Sequence, residues 1–284
     1  MRDFNEDYSG ATNDDHLVEL WLANRPKSTT RLYRREGRKL IEHLGETGLR
    51  EATVADLVGF VKALKGSPAT QVKTVRVTKS LLSFAHRTGY TVFNIGKVIK
   101  VPAIPDKLHE RILDEEGVAT ISQTASEKGR YTVRNHTLVR FFYASGARIS
   151  EVSKLSFKDI RAQHVTFHGK GSRTRTVLIP ETIANELRAL RLPDDTDDSA
   201  VFKSFRGRRL LPRSLRWIIA QITKEAGHDK ASPHWFRHAH ASHALDNGAP
   251  VHLVQQSLGH QNVATTSRYL HAKPNAGASE FLTL

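Results

Sequence analysis

The stretch SPHWFRHAHASHALDNG, residues 232–248, predicts a helix with a well-marked start. Ser232 is a favoured N-cap residue, and Pro233 suits the first helical position, where no backbone donor is needed. His234 and Arg237 follow three positions apart, so both side chains lie on one face of the helix. Because a helix N-terminus has a partial positive charge, an imidazole and a guanidinium there favour an anion.

The composition favours a nucleic-acid-binding protein. The 284 residues suffice for two domains of ordinary size, and the formal net charge is +14 at pH 7. A basic surface gains affinity for polyanions by releasing counterions from phosphates, although a generally basic soluble protein is an alternative. The chain has no cysteine, which excludes disulfides, cysteine-ligated zinc fingers and thiol chemistry. No apolar run approaches the length of a membrane span and the N-terminus is unlike a secretory signal, so we expect a cytoplasmic, nucleoid-associated protein without a membrane partner.

The N-terminal half predicts a small helical bundle. Residues 1–14 are polar and predict a loose tail. Residues 15–99 contain four or five helical segments with no strand pattern between them, and Ser28 with Thr29 predicts the start of the second helix. Residues 100–109 include two prolines and predict an extended linker to a second domain.

The C-terminal half, residues 110–284, predicts helices and one hairpin. An apolar helix breaks at Gly146, and a second short helix follows the break. Residues on either side of Lys170 alternate between apolar and polar, which predicts two antiparallel strands with this lysine at their tip. The inward strand residues are Val165, Phe167, Val177 and Ile179. The predicted fold class is therefore mainly α with a small β-sheet or hairpin.

Basic residues recur at helical spacing in the N-terminal bundle. A solvated charged face is the usual meaning of such spacing, but two basic ridges on one small bundle suit a phosphate backbone better. The second helix contributes Arg31, Arg34, Arg35, Arg38 and Lys39, and the fourth contributes Lys73, Arg76 and Lys79. Arg173 and Arg175, beside the hairpin tip, are further candidate DNA contacts.

Four segments of the C-terminal half suit one phosphate group. Arg148 stands at the start of the helix after the glycine break, and Arg237 lies in the opening stretch. Each guanidinium can bind two non-bridging oxygens and stays protonated, so the pair could stabilise the extra charge of a pentacoordinate phosphorus. Lys170, His234 and His260 could move protons.

Tyr269 is the candidate nucleophile. An isolated tyrosine at this place would be an ordinary packed helix residue. Beside a phosphate site, however, a phenol that attacks phosphorus forms a covalent intermediate that stores bond energy.

Metal chemistry is the weaker interpretation. The acidic loop at residues 194–198 could bind a metal, but a solvated loop is the ordinary meaning of such a cluster. A zinc site on the histidines of the 232–248 helix would enclose Arg237, which argues against it. The four histidines concerned are His234, His238, His240 and His243.

Four strings together resemble the tyrosine recombinase, or phage integrase, family, and their compact layout is Xer-like. They are GARISEV, GKGSRTR, SPHWFRHAHASHALDNG and VQQSLGHQNVATTSRYLH. The resemblance extends from about residue 14 to the end of the chain and implies an N-terminal SAM-like core-binding bundle followed by a mostly helical catalytic domain. Its six signature residues, in order, are Arg148, Lys170, His234, Arg237, His260 and Tyr269.

The resemblance implies a role for each of these residues. Arg148 and Arg237 would hold the scissile phosphate, and His234 and His260 would hydrogen-bond the transition state, with His234 accepting the tyrosine proton. Lys170 would protonate the departing 5′-oxygen. Tyr269 would form a 3′-phosphotyrosine, and no metal or other cofactor would take part. Two nearby features are less distinct: Glu151 either orients Arg148 or is an ordinary helix-surface acid, and His240 replaces a common aromatic residue.

The resemblance also implies the partners and leaves alternatives open. A tetramer, of this chain alone or with a second recombinase, would exchange strands of double-stranded DNA with paired sites through a Holliday junction, with or without an accessory protein. Residues 272–284 would pack on a neighbouring subunit or fray. The task could be dimer resolution, cointegrate resolution or integration. A non-catalytic DNA-binding relative, a type IB topoisomerase and a metal-dependent nuclease are the rival interpretations; the binder should have lost one of the six residues.

Overall fold

The computed structural model describes residues 6–103, 109–129, 131–169, 174–259 and 266. The chain divides into two compact units, Met1–Pro105 and Asp106–Leu284. Each unit has its own hydrophobic core, as expected for a chain of this length.

In the described part of the N-terminal unit, all regular secondary structure is helical. Its helices are α1 Asp14–Ala23, α2 Lys27–Leu44, α3 Gly48–Glu51, α4 Val54–Ala63 and α5 Pro68–Arg87, with 3-10 turns at Gly45–Thr47 and Ile95–Lys97. Local signals explain most of the starts. Asn13 caps α1, Thr53 and Asp56 form a capping box at α4, and Ser67 caps α5 ahead of Pro68.

The start of α2 differs from the prediction. The helix begins at Lys27 and not at the serine–threonine pair, because the main-chain oxygen of Pro26 accepts hydrogen bonds from the N–H groups of Thr29 and Thr30. The backbone therefore closes the first turn without a side-chain cap. At the other end, Gly45 has a φ of +55°, which suits glycine at a helix terminus.

The described part of the predicted tail packs against this unit. The N–H of Tyr8 donates to the main-chain oxygen of Thr88 across 2.8 Å, and Arg50 forms an ion pair with Asp7 at 2.5 Å. The side chain of Ala11 belongs to the core. The largest buried residues of that core include Leu17, Trp21, Leu40, Leu57 and Leu81.

The C-terminal unit contains seven α-helices and a small sheet within its described residues. The helices are α6 Glu115–Glu127, α7 Thr132–Ser145, α8 Ile149–Lys154, α9 Glu181–Ala189, α10 Pro212–Glu225, α11 Pro233–Asp246 and α12 Val251–Leu258. Helix α7 supplies the centre of the core through Phe141 and Phe142, both fully buried. It packs against α6, α9 and α11.

The sheet has three antiparallel strands in chain order. They are β1 Ile160–Arg161, β2 His164–His168 and β3 Thr174–Leu178. The predicted hairpin is β2 and β3, in which Val165 pairs with Val177 and Phe167 pairs with Arg175. Strand β1 was not predicted, because two residues are too short for an alternation pattern.

The architecture agrees with the predicted fold class, which is mainly helical with a small sheet. Across the described residues, no helix combines the length and the apolar character needed to cross a membrane.

Candidate active site

Arg148 stands at the sharp turn that joins α7 to α8. Helix α7 ends at Ser145, and its C-cap residue Gly146 has a left-handed backbone with a φ of +56°. Arg148, two residues later, is the N-cap residue of α8. Its main-chain N–H donates to Oε2 of Glu151 across 2.7 Å, and its Nη1 donates to Oε1 across 3.1 Å. The side chain of Arg148 is 40% exposed, so its guanidinium is oriented by Glu151 and still open to solvent.

Glu151 is a buried carboxylate and not a surface acid, with only 7% of its side chain exposed. Besides Arg148, it binds Arg175 of β3, whose Nη2 lies 2.8 Å from Oε2. Burial acts to raise the pKa of Glu151, but the hydrogen bond and charge of Arg175, followed by those of Arg148, outweigh burial and hold the pKa below its usual value. Glu151 therefore stays ionised between two guanidiniums.

Arg237 lies in the same region although it is 89 positions further along the chain. It is 5% exposed, and its guanidinium donates to the main-chain oxygen of Gly146 across 2.6 Å and to that of Leu258 across 2.7 Å. Helix α11 thus bonds both to the turn before α8 and to the end of α12. The predicted N-terminus of α11 is confirmed, with Ser232 as N-cap and Pro233 in the first position.

The end of α12 completes this arrangement. Gly259 is the C-cap residue with a φ of +62°, and its main-chain oxygen accepts a long hydrogen bond of 3.4 Å from Nη2 of Arg148. A Cβ at this position would lie 2.8 Å from Cδ of Arg175. Glycine is therefore required here both by the backbone and by the arginine beside it.

His234 lies at the start of α11 with its side chain exposed to solvent. The surrounding chain shields part of the His234 ring from water, and this partial desolvation lowers the pKa of the ring. The positive charges of Arg237, Arg216 and Arg148 lower it further. The imidazole is consequently neutral at neutral pH and able to accept a proton.

Two more histidines of α11 bind protein groups. Nδ1 of His240 lies 2.8 Å from the main-chain oxygen of Tyr143, and its Nε2 lies 3.3 Å from Oγ of Ser257. Nδ1 of His243 lies 2.9 Å from the hydroxyl of Tyr143. Both rings thus pack α11 against α7.

Several predicted site residues lie outside the described residues. They are Lys170, Arg173, His260, Tyr269 and the C-terminal segment 272–284. In the chain, β2 and β3 stand before and after residues 170–173, and α12 ends at Leu258, two residues before His260. The predicted roles of these residues stay predictions.

The predicted DNA contacts of the N-terminal unit mostly have acidic partners. Arg34 binds Glu19 through two hydrogen bonds of 2.6 and 2.8 Å. Glu36, with no exposed side-chain surface, holds a cluster of basic groups from α2 and α5. Its partners are Arg35 at 2.6 Å, Lys39 at 2.7 Å and Lys73 at 3.8 Å, with the hydroxyl of Thr74 at 2.9 Å.

The other basic residues of the two ridges are distributed as follows. Nζ of Lys79 donates to the main-chain oxygen of Ile99 across 2.5 Å, and Arg38 lies 3.9 Å from Asp15. Arg31 and Arg76 are exposed and make no ion pair with any described residue.

The acidic loop at residues 194–198 is neutralised by basic side chains. Asp195 pairs with Lys203, Asp197 with Arg191 at 2.9 Å, and Asp198 with Lys158 at 2.6 Å. Among the described residues, no group of three or more acidic or histidine side chains is arranged to hold a metal ion.

Sequence reasoning placed Arg175 on the DNA surface, whereas in the structure only 13% of its side chain is exposed. The sequence also gave no prediction for Glu36, the buried partner of three basic side chains. The spacing of Arg148 and Glu151 was a usable signal for the first helical turn, but the contact between Glu151 and β3 spans 24 positions and has no local signature.

Comparison with known proteins identifies the family of this chain. The phage integrase family model matches residues 111–276. The tyrosine recombinase XerD of Neisseria meningitidis serogroup B is 30% identical over 271 residues, which cover 90% of this chain and 92% of that protein. XerD of Mycobacterium tuberculosis is 29% identical over 282 residues, which cover 90% of each chain.

Solved structures share the fold at low sequence identity. A XerH recombinase bound to its difH substrate aligns with a TM-score of 0.72 and 19% identity, over 94% of this chain and 82% of that one. A lambda integrase dimer bound to a COC′ core site aligns with a TM-score of 0.76 and 15% identity, over 93% and 95%. The chain belongs to the phage integrase family. The enzyme class expected from the sequence, a site-specific recombinase that breaks and rejoins DNA, is confirmed.

Proposed function

We propose that this protein recombines double-stranded DNA at specific paired sites through a 3′-phosphotyrosine on Tyr269. One observation supports the phosphate site above all others. Arg148 and Arg237 come from different helices, yet both are anchored at the turn after α7 and at the end of α12. Two guanidiniums anchored at the same turn and the same helix end suit a single phosphodiester, whose negative charge both can stabilise.

The reaction is a pair of transesterifications. The Tyr269 oxygen forms a bond to the scissile phosphorus and the bond from phosphorus to the 5′-oxygen breaks, so the number of phosphoester bonds is unchanged. The phenolic proton passes to the neutral ring of His234, and Lys170 gives a proton to the departing 5′-oxygen. A free 5′-hydroxyl then gives up its proton and attacks the phosphotyrosine. The bond from phosphorus to the Tyr269 oxygen breaks, the phenol takes its proton back, and the DNA backbone is restored.

The two arginines and His260 would act on the charge that develops at phosphorus. The pentacoordinate transition state bears more negative charge on its non-bridging oxygens than the starting diester does. Groups already held in place by Gly146, Glu151 and the end of α12 stabilise that charge without having to reorganise.

DNA partners follow from the same proposal. Two copies on each of two sites would form a tetramer, either of this chain or with a second recombinase, and exchange the strands in pairs through a Holliday junction. Arg31, Arg76 and the Glu36 cluster provide basic groups for the DNA backbone. The proposal places this recombinase on the nucleoid in the cytoplasm, with or without an accessory protein. Its task would be dimer resolution, cointegrate resolution or integration.

The test compares wild-type protein with Tyr269→Phe on nicked duplexes that contain candidate sites from the flanking DNA. The nick lets the short cleaved strand diffuse away and traps the covalent complex. We expect a protein–DNA band on denaturing gels for the wild type only, with a chelator present throughout. Binding without any band from the wild type on an occupied site contradicts catalysis. In a parallel reaction with a divalent metal in place of the chelator, cleaved strand that appears without a covalent band supports a nuclease.

A second assay separates recombination from topoisomerase-like activity. Plasmids with one site and with two sites are incubated with the protein and analysed for topology and for recombinant products. We expect strand exchange only from the two-site plasmid. Relaxation of the one-site plasmid without exchange would support a topoisomerase instead.

A further inference from the structure

Arg175 occupies an unusual position for a charged residue of a hairpin. It lies on β3 opposite Phe167, and its guanidinium carbon is 4.7 Å from the centre of that ring. Only 13% of its side chain is exposed. The charge of Arg175 is paired with the buried carboxylate of Glu151, so a role within the protein fits this residue better than a contact to the DNA backbone.

The guanidinium of Arg175 binds the carboxylate that orients Arg148. Its Nη2 donates to Oε2 of Glu151 across 2.8 Å, and its Nε lies 3.4 Å from Oε1. The same two oxygens accept from the main-chain N–H and the Nη1 of Arg148. Glu151 therefore bridges two guanidiniums, and its orientation depends on both.

The aliphatic part of Arg175 packs on the turn that ends α12. The space where a Cβ of Gly259 would stand lies 2.8 Å from Cδ and 3.3 Å from Nε of Arg175, and 3.9 Å from Nη1 of Arg148. Arg175 therefore contacts both groups that hold the Arg148 side chain. Its own Nη1 is buried and has no hydrogen-bond partner among the described residues.

We propose that Arg175 is a positioning residue that fixes the guanidinium of Arg148 for the scissile phosphate by bracing Glu151 and the Gly259 turn. The proposal rests on the phosphate-binding role proposed above for Arg148. It also gives β3, which begins four residues after Lys170 in the chain, a direct link to α8 and to the end of α12. Arg175 itself does not touch the DNA.

Two substrates distinguish positioning from a purely structural role. In the first, the scissile group is an ordinary phosphodiester; in the second, a methyl group replaces one non-bridging oxygen, so the phosphorus centre is uncharged. A poorly placed Arg148 matters most when there is charge to stabilise. Arg175→Met should therefore lower covalent cleavage about 10- to 100-fold on the diester and less than about threefold on the methylphosphonate, each relative to wild type.

The controls test folding and the role of Arg148. Lys203→Met is the control for the loss of a buried cation. Lys203 pairs with Asp195 outside the phosphate site, and each side chain is 11% exposed. This variant should leave both cleavage rates near those of wild type. Arg148→Lys should show the same substrate dependence as Arg175→Met. If Arg175→Met does not fold, Arg175→Lys keeps a cation near Glu151 and should show a smaller loss with the same substrate dependence.

The outcomes separate the two proposals. If wild-type protein binds the diester but forms no covalent product, the proposed function is wrong and the role of Arg175 is wrong with it. If wild type cleaves and the Arg175 variant cleaves both substrates equally slowly, or both normally, only the positioning role is overturned.

Discussion

The guanidinium of Arg237 donates to the main-chain oxygen of Gly146 across 2.6 Å. A Cβ on Gly146 would lie 2.8 Å from Cδ2 of His240 and 2.8 Å from Cδ2 of Leu258, and its φ of +56° is unfavourable for other residues. The turn that receives Arg237 thus exists in this form only with glycine.

Gly146→Ala should lower the free energy of unfolding by about 2 kcal/mol, because the new methyl group meets two side chains and the backbone is strained. Covalent cleavage should fall more than stability explains, since the turn also leads to Arg148. Chemical denaturation and the trapping assay measure the two effects. Gly207→Ala is the matched control. Gly207 also has a positive φ, +69°, but no atom lies within 4 Å of the point where its Cβ would stand. Equal effects from the two variants would show that the close packing around Gly146 is unimportant.

Stability should depend on pH through His240. Burial lowers the pKa of this histidine to about 4 from 6.5; the hydrogen bond to the main-chain oxygen of Tyr143 opposes the shift, and the charges of Arg237, Arg175 and His243 add to it. Because the proton binds better to the unfolded chain, this contribution to stability is complete above pH 6.5 and is lost as the pH falls toward 4.

His240→Phe should flatten that loss. Urea unfolding of the wild type and the variant at several pH values between 4 and 6.5 gives the comparison. His252→Gln, a change at an exposed histidine of α12, is the control and should keep the wild-type pH dependence. An unchanged slope in His240→Phe would contradict the assignment.

Glu36→Gln should destabilise the N-terminal unit by about 2 kcal/mol at pH 7, because three basic groups lose a buried, charged acceptor. Burial acts to raise the pKa of Glu36, but hydrogen bonds from Lys39, Arg35 and Thr74 outweigh burial and hold it at about 2. The stability due to this depressed pKa is present above pH 4.5 and is lost as the pH falls toward 2.

Acid unfolding therefore checks the same assignment. Wild type should lose stability over that range and Glu36→Gln should lose less. Glu42→Gln, at an exposed position of the same helix, should behave like wild type. If the two glutamine variants cannot be distinguished, Glu36 does not organise the basic cluster.

Salt dependence should separate the basic residues of the N-terminal unit. Arg76→Ala should reduce the slope of log affinity against log salt by about 0.9, the value for one phosphate contact. Arg34→Ala should reduce it less, because Arg34 already binds Glu19 through two hydrogen bonds that a phosphate would have to replace. Fluorescence anisotropy with a duplex at several salt concentrations measures both slopes, and a larger change for Arg34→Ala would reverse this ranking.

The parts that sequence predicted well depend on local chemistry. The start of α11 was predicted from a proline in the first helical position, the break at Gly146 from glycine, and the β2–β3 hairpin from alternating residues. Ser232 occupies the N-cap position without a side-chain hydrogen bond. The parts it missed depend on distant partners. Arg175 is inside because Glu151 receives it, and Glu36 is buried because α5 brings Lys73 and Thr74 beside it.

The proposed recombination requires that Tyr269 itself forms the bond to DNA. This bond can be located by protease digestion of the trapped complex, followed by mass spectrometry of the peptide that retains nucleotides. We expect a tyrosine-linked 3′-phosphate on the peptide that contains Tyr269. A phosphate on any other residue, or a link to the 5′-end of the cleaved strand, would contradict the proposed chemistry.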